Sequence, residues 1–484
     1  MFDLRGLIGG TDGNSGAVTG EQVMELQKAL TMGYGTDVAT LTGGGALRIQ
    51  SLDTVMQATI VENKHMALFN RLPKPKVGGT VDEWTEQSGI GGFLGGATNS
   101  ETGTIEEATG EYARRVGMVK YLMARRQVSF VATITNNIRD AEALEQANGA
   151  LQLLSDANFL CYEGDAAVVP TEFDGIGPQL AAGVVDGKVA DDHVIDMRGT
   201  PLNSIHKISQ AAQTIAAFNN FGTPTDIFIP QSVQTDLDTS LDPAFRVPLT
   251  DVPGGGVQLG APVVGIRTSF GNIRNTSDVF IREGDLLAPF NTRYASVATA
   301  NAAMQPSAVT ATPSSDAASQ FTAAQAGLYY WGVAGVSAKG ESAIRLTTQT
   351  TVAAGEKVTL SITHANGGET GFAIYRSRKN GTNAPADMRL VKRIPKGAGP
   401  TSFVDLNADI PGTTKAYMLN LAPSATAILW RQLLPMMKFP LFPTSSAVVP
   451  WAQLLFGYLR ISKLRHHVFI KNILPNSATW KPFG

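Results

Sequence analysis

At 484 residues the chain suits about three domains by the usual length prior, and its 43% hydrophobic content is ample for packed cores. A formal charge of -2 and a pI near 6.3 exclude a generally basic nucleic-acid coat, which must neutralise many phosphates with Lys and Arg. The single cysteine, Cys161, excludes an intrachain disulfide and a Cys-rich metal centre and fits a reducing compartment, and the opening MFDLRGLIGGTDGNSG has no apolar run of signal-peptide length.

In chain order, residues 1–46 are Gly-rich except for TGEQVMELQKAL, where Thr19 or Gly20 can cap a short helix with Val23, Leu26 and Leu30 on one face. They read as an N-terminal arm. Residues 77–113 hold nine glycines and neither Lys nor Arg, with little helical period, and predict a long two-stranded loop with a flexible tip. Residues 116–135 then lead into AEALEQANGALQLLSDANFL, where Leu144, Leu151, Leu154 and Asn158 fall at helical spacing and predict a long helix. A second helix is expected after Pro201, with Ile205, Ile208, Ala212 and Ile215 on one stripe and Asn203 as its cap. Strands are expected at 225–230, 262–269 and 278–283.

From about Pro306 to Lys415 closely spaced β-signals replace helix signals: LYYWGVAGVSAKGESA, EKVTLSITH, TGFAIYRSRKNG and TSFVDLN. Tyr329, Trp331 and Val333 alternate with residues expected to face outward, as do Val358, Leu360 and Ile362, so a β-sandwich of roughly 100 residues is predicted. Residues 428–459 are the most apolar stretch, but Pro435, Pro440, Pro443 and Pro450 break it and Arg431 and Lys438 charge it, which rules out a transmembrane helix. From Ile410 to Gly484 there is no Asp or Glu, and a one-sign segment of that length calls for an acidic partner.

The motifs of chemistry fail one by one, so no catalytic residue, metal ligand or cofactor is expected. The six histidines show no metal-ligand spacing, and the adjacent His466 and His467 are expected on opposite faces of a strand. GIGGFLGG lacks the third glycine of a dinucleotide loop, and GVVDGKV lacks the spacing and the hydroxyl of a phosphate loop. There is no G-x-S-x-G elbow, and Cys161 follows Phe159 and Leu160 as a buried thiol would. The carboxylates of 82–111 sit on a Gly-rich loop that cannot hold two of them at catalytic separation, and Trp331 reads as a core residue.

This order of segments resembles the major capsid proteins of tailed bacteriophages, the HK-type fold shared with herpesvirus capsids. The ending carries the resemblance most closely: Pro435 to Leu441, Leu455 to Leu459 and Val468 to Asn472 are similar to the family's proline turn, apolar core and V-x-I-K-N close. The resemblance implies an α+β fold with an N-arm at 1–46 and a first core part at 47–305. Within the latter it implies an E-loop at 77–120, a spine helix at 140–160 and an axial domain at about 175–290 of a peripheral and axial pair. A C-terminal return at 416–484 completes the core. The segment 306–415 resembles an inserted immunoglobulin-like or fibronectin type III sandwich, although its YYW strand precedes its IYRS and TSFVD strands where such modules place it after them. It is expected to be dispensable for shell geometry.

The implied function is structural: self-assembly into hexamers and pentamers of an icosahedral shell around double-stranded DNA, with portal, scaffold and decoration proteins as partners, only weak contact to DNA, no membrane and no enzyme activity. A virion decoration protein or adhesin using the sandwich is the alternative, and a glycan-active enzyme would need paired carboxylates in a rigid pocket. The expected inter-subunit contact sets Asp82, Glu83, Glu86, Glu101, Glu106, Glu107 and Glu111 of the loop against Arg460, Lys463, Arg465 and Lys471 of a neighbour's tail, because an extended loop points away from its own body. A lysine-derived cross-link from the loop is not expected, since residues 77–113 supply no amine.

Overall fold

In a computed structural model of the chain, the described residues are 62–92, 97–105, 107–134, 141–239, 263–284, 302–443 and 447–483. The chain divides into Met1–Thr59 with Asn136–Arg139, and Ile60–Thr135 with Asp140–Gly484, and the described residues all belong to the second unit. The arm and its helix at 19–30 lie outside the described residues.

The architecture is mixed α+β. The apolar C-terminal stretch forms two long antiparallel strands, Ile428–Pro440 and Val448–Ile461, and Lys120–Ser129 adds a third strand alongside the second. Pro435 donates no ladder hydrogen bond, and the register of the edge strand shifts between Gln432 and Leu434 and again across Pro435, between Leu434 and Met437. Among the described residues, no helix is long and apolar enough to cross a membrane.

The long helix, Ala141–Glu163, lies across this sheet. Its fully buried stripe is Gly149, Leu153, Ala157 and Leu160, about a residue away from the expected leucines, of which Leu144, Leu151 and Leu154 are only half-buried. The reason is close approach: a Cβ at Gly149 would stand 2.2 Å from Oε1 of Gln453, a buried side chain whose Nε2 donates to the Gln146 carbonyl at 2.6 Å. Farther along, Asn158 and Tyr162 donate to the Asp278 carboxylate at 3.1 and 2.9 Å. Burial raises the pKa of Asp278 against these bonds.

A six-stranded sheet forms the second layer, in the order Val194–Asp196, Val468–Ile473, Thr414–Leu419, Asp226–Ile229, Gly271–Ser277, Gly265–Thr268. Both faces are covered, and the two-residue period sorts the side chains. Phe228, Tyr417, Leu419 and Phe469 join the core under the long helix. Ile227, Ile229, Ala416, Met418, Val468 and Ile470 pack with the helices Ile205–Ala216 and Gln231–Thr239 on the other face. Ser204 caps the first of these, its hydroxyl accepting from His206 N, in place of the expected Asn203. The strand expected at 278–283 is instead a turn built on buried Asp278, and Gly271–Ser277 is the strand; its parallel pairing with Asp226–Ile229 overrides the weak β-propensity of Gly and Asn.

Residues 308–405 form two main sheets over a common core, with a small two-stranded sheet of Gly327–Tyr329 and Thr350–Val352 beside them. Ala308–Ser315, Glu356–Thr363 and Thr401–Asp405 make the front sheet; Trp331–Ser337, Gly371–Arg376 and Arg389–Pro395 dominate the rear one. Trp331, Val333, Phe372 and Ile374 meet Val358, Leu360 and Ile362 between them. Across this core the fully buried Arg376 donates to Asp405 at 2.7 Å and to Asn407 at 2.6 Å, and Trp331 Nε1 donates to the same carboxylate at 2.9 Å. The rear face, expected to point outward, is buried too: Ala334, Val336, Ala373 and Tyr375 pack on Val168 and Val169 of the turn after the long helix. The chain then enters the six-stranded sheet at Thr414–Leu419, so a division at 415 falls inside that strand.

Candidate assembly interface

Val81–Gly89 and Glu111–Met118 pair as the hairpin that the Gly-rich segment predicted, with Val81 opposite Met118 and Trp84 opposite Arg115. Strand alternation gives it two unlike faces. One carries Val81, Tyr112, Val116 and Met118, which are 48 to 68% exposed, together with the surface ion pair of Glu83 and Arg114. The other carries Asp82, Trp84, Glu86 and Gly117 and turns toward the hairpin's own subunit, where Glu86 meets Arg115 at 2.9 Å across the strands.

Asp82 locks the root of the hairpin. It is 7% exposed, and its carboxylate accepts from Arg431 at 2.9 and 3.1 Å, from Tyr458 Oη at 2.7 Å and from Arg460 at 3.1 Å. Burial pushes its pKa up, but the bonds from Arg431 and Tyr458 prevail and hold it below the ordinary carboxylate value. Arg460 also lies over the Trp84 ring, and Gly117 sits flat against Tyr458, where a Cβ would come within 2.4 Å of the ring. Arg431 and Tyr458 are register partners in the long sheet, so a single carboxylate ties its edge and central strands to the hairpin.

The expected contact residues therefore separate into groups. Asp82 and Arg460 meet within one chain, and the hairpin root thus rests on its own body. Glu83 and Glu86 are matched by Arg114 and Arg115 of the returning strand. Lys471 is held by Asp409 and the Ala408 carbonyl, both at 2.9 Å. Arg465 donates to the carbonyls of Ser88, Lys188 and Asn219. Glu111 accepts from Ser88 Oγ and is exposed, as are Glu101, Glu107 and Lys463, while Glu106 lies outside the described residues. Sequence reasoning missed Arg431, Tyr458 and Gly117. The one available signal was an arginine at an alternating position in an apolar run, which demands a buried acid.

A cavity of about 890 Å³ opens beside the hairpin root, lined in part by Glu163, Arg282, Lys392, Arg393, Asp409 and Lys415. Two of its acids are ion-paired: Glu163 accepts from Lys415 at 2.7 and 2.8 Å, and Lys471 and Lys392 hold Asp409 ionised against the opposing effect of burial, whereas burial raises the pKa of Asp165, also on the lining. Ion-paired carboxylates of this kind are poor proton carriers near neutrality. Among the described residues no group of three or more His, Cys, Asp or Glu could hold a metal. Cys161 is fully buried and its pKa is raised by desolvation. His466 and His467 do not take opposite faces of a strand, because a 3-10 turn ends at His466 and both rings reach Asn420. Burial lowers the pKa of His467 to about 3.

No family model matches the chain. Over 458 residues it is 24% identical to a putative major capsid protein of Enterococcus phage phiEF24C, covering 93% of this chain and 94% of that one. The similarity runs nearly end to end. Solved structures with distant likeness include the capsid of a native GTA particle (8% identity, 91% of this chain and 100% of that one, TM-score 0.46). Another is the SrpI encapsulin of Synechococcus elongatus PCC 7942 (8% identity, 90% and 95%, TM-score 0.42).

Proposed function

We propose that the chain is a major capsid protein of HK-type fold, assembling as hexamers and pentamers into an icosahedral shell around double-stranded DNA. The similarity to the phage phiEF24C protein carries this reading, because it spans more than nine-tenths of both chains and so includes hairpin, long helix, sandwich segment and C-terminal return. The geometry fits it: the hairpin is fixed at its root and presents an apolar face that its own subunit leaves exposed. The sandwich is an immunoglobulin-like insert, and the chain performs no chemistry. Its location is the virion capsid, assembled in the host cytoplasm with portal and scaffold proteins.

Between copies, the distal acids Glu101, Glu106 and Glu107 are matched to the exposed Lys463 of a neighbour, while Arg465 is engaged by carbonyls of its own chain. Each exposed pair contributes only about 0–1 kcal/mol, so their role is register, and the hairpin's apolar face supplies most of the contact energy. Analytical ultracentrifugation of the purified chain tests the reading. Species at hexamer mass or larger are expected, and a monomer at all concentrations, with and without its assembly partners, overturns it.

A further inference from the structure

The last residues of the chain run from the core onto the sandwich. At the core end, Leu474 N donates to the Thr200 carbonyl at 3.3 Å and Asn476 N donates to the buried Asp236 at 2.9 Å. At the sandwich end, Lys379 N donates to the Pro482 carbonyl at 2.8 Å. Between them Trp480 is 4% exposed, and its Nε1 donates to the carbonyl and carboxylate of Asp387 at 3.2 and 3.1 Å. Arg389 stacks on the ring from the sandwich side, 5.1 Å from its centroid. Gly412, in the linker back to the core, meets the same ring with φ +76°; a Cβ there would approach it to 2.3 Å. One indole thus touches sandwich and linker at once.

The seam beneath is equally close. A Cβ at Gly371 would stand 2.5 Å from Val168 Cγ1, and Arg393 of the sandwich pairs with Glu172 at 3.1 Å. The linker is pinned by the last core strand, Asn472 accepting from Ile410 N at 2.9 Å and donating to the Ala408 carbonyl at 2.8 Å.

We propose that residues 475–483 form a strap that locks the sandwich in one orientation on the core, with Trp480 as its buckle, so that the sandwich is a rigid part of the subunit and not a pendant module. The strap would act in the single chain, whether or not that chain assembles. It replaces the expectation of a dispensable insert with a definite one: removing residues 306–415 would strip the cover from Val168, Val169 and Trp480 and take away part of a core strand.

The test uses thiol accessibility in the full-length chain. Val168→Cys places a thiol in the seam, and Leu360→Cys places one in the sandwich's own core; native Cys161 is fully buried and serves as the background. Adding Trp480→Ala should raise the labelling rate of the seam thiol at least tenfold while leaving the Leu360→Cys rate unchanged. Trp480→Phe, which keeps a ring between Gly412 and Arg389, should restore most of the protection. An unchanged seam rate, or equal acceleration of both thiols, overturns the strap, since the second outcome means that Trp480 supports only general stability.

Discussion

Replacing Asp82 by alanine should release the hairpin root and leave two guanidinium groups without their anion. The side chains of Arg431 and Arg460 are only 17 and 16% exposed, so water compensates them poorly. Breaking a buried pair by removing one partner costs about 3–5 kcal/mol, and here one carboxylate serves two arginines and a tyrosine hydroxyl. With a denaturant slope of about 3 kcal/mol per M, the urea midpoint should fall by about 1 M or more. Asp82→Asn keeps the shape and loses the charge, and should lie between alanine and wild type.

The pH dependence follows from the depressed pKa of Asp82. Its stabilisation is fully present above the unfolded value of about 3.9 and is lost as pH falls through the lower folded value, so wild type and Asp82→Asn should converge in acid and differ most at neutrality. A loss below about 1 kcal/mol at pH 7, or a difference that does not shrink in acid, refutes the claim that Asp82 is the lock.

Three further outcomes are expected. Gly117→Ala forces a methyl against the Tyr458 ring and should cost about 1–3 kcal/mol by chemical denaturation, whereas Gly79→Ala, whose Cβ would meet nothing closer than 3.8 Å, should be nearly neutral. Arg376→Leu strands Asp405 and Asn407 inside the sandwich and should cost about 3–5 kcal/mol, and the added change Asp405→Leu should recover part of it, as read by calorimetry of the double-mutant cycle. Reversing Lys463 to Glu should lower the salt concentration at which assemblies dissociate, and Glu101→Lys with Glu107→Lys should restore it in part, as read by light scattering. Arg460 and Arg465 are left unchanged because Asp82 holds the first and the carbonyls of Ser88, Lys188 and Asn219 hold the second, all within their own chain.

The hairpin, the long helix and the sandwich strands were legible because each rests on local signals: glycine clusters, helical spacing, and alternation around Trp331 and Val358. The features that were not legible depend on partners far away in sequence. Asp82 reads as one acid among seven on a solvated loop, and only folding brings it to Arg431, 349 positions later. The outward-facing residues expected of the Trp331 strand are buried because the Val168 turn covers them, which no periodicity within the strand can announce. Gly271–Ser277 has too little intrinsic preference to be read as a strand and becomes one through its neighbours on both sides.

The most direct measurement is negative-stain electron microscopy of the expressed full-length chain, alone and with its cognate assembly partners. The account predicts closed shells or six-fold and five-fold rings of uniform size, with projections where the sandwich domains stand. Uniform single-subunit particles under every assembly condition would contradict it.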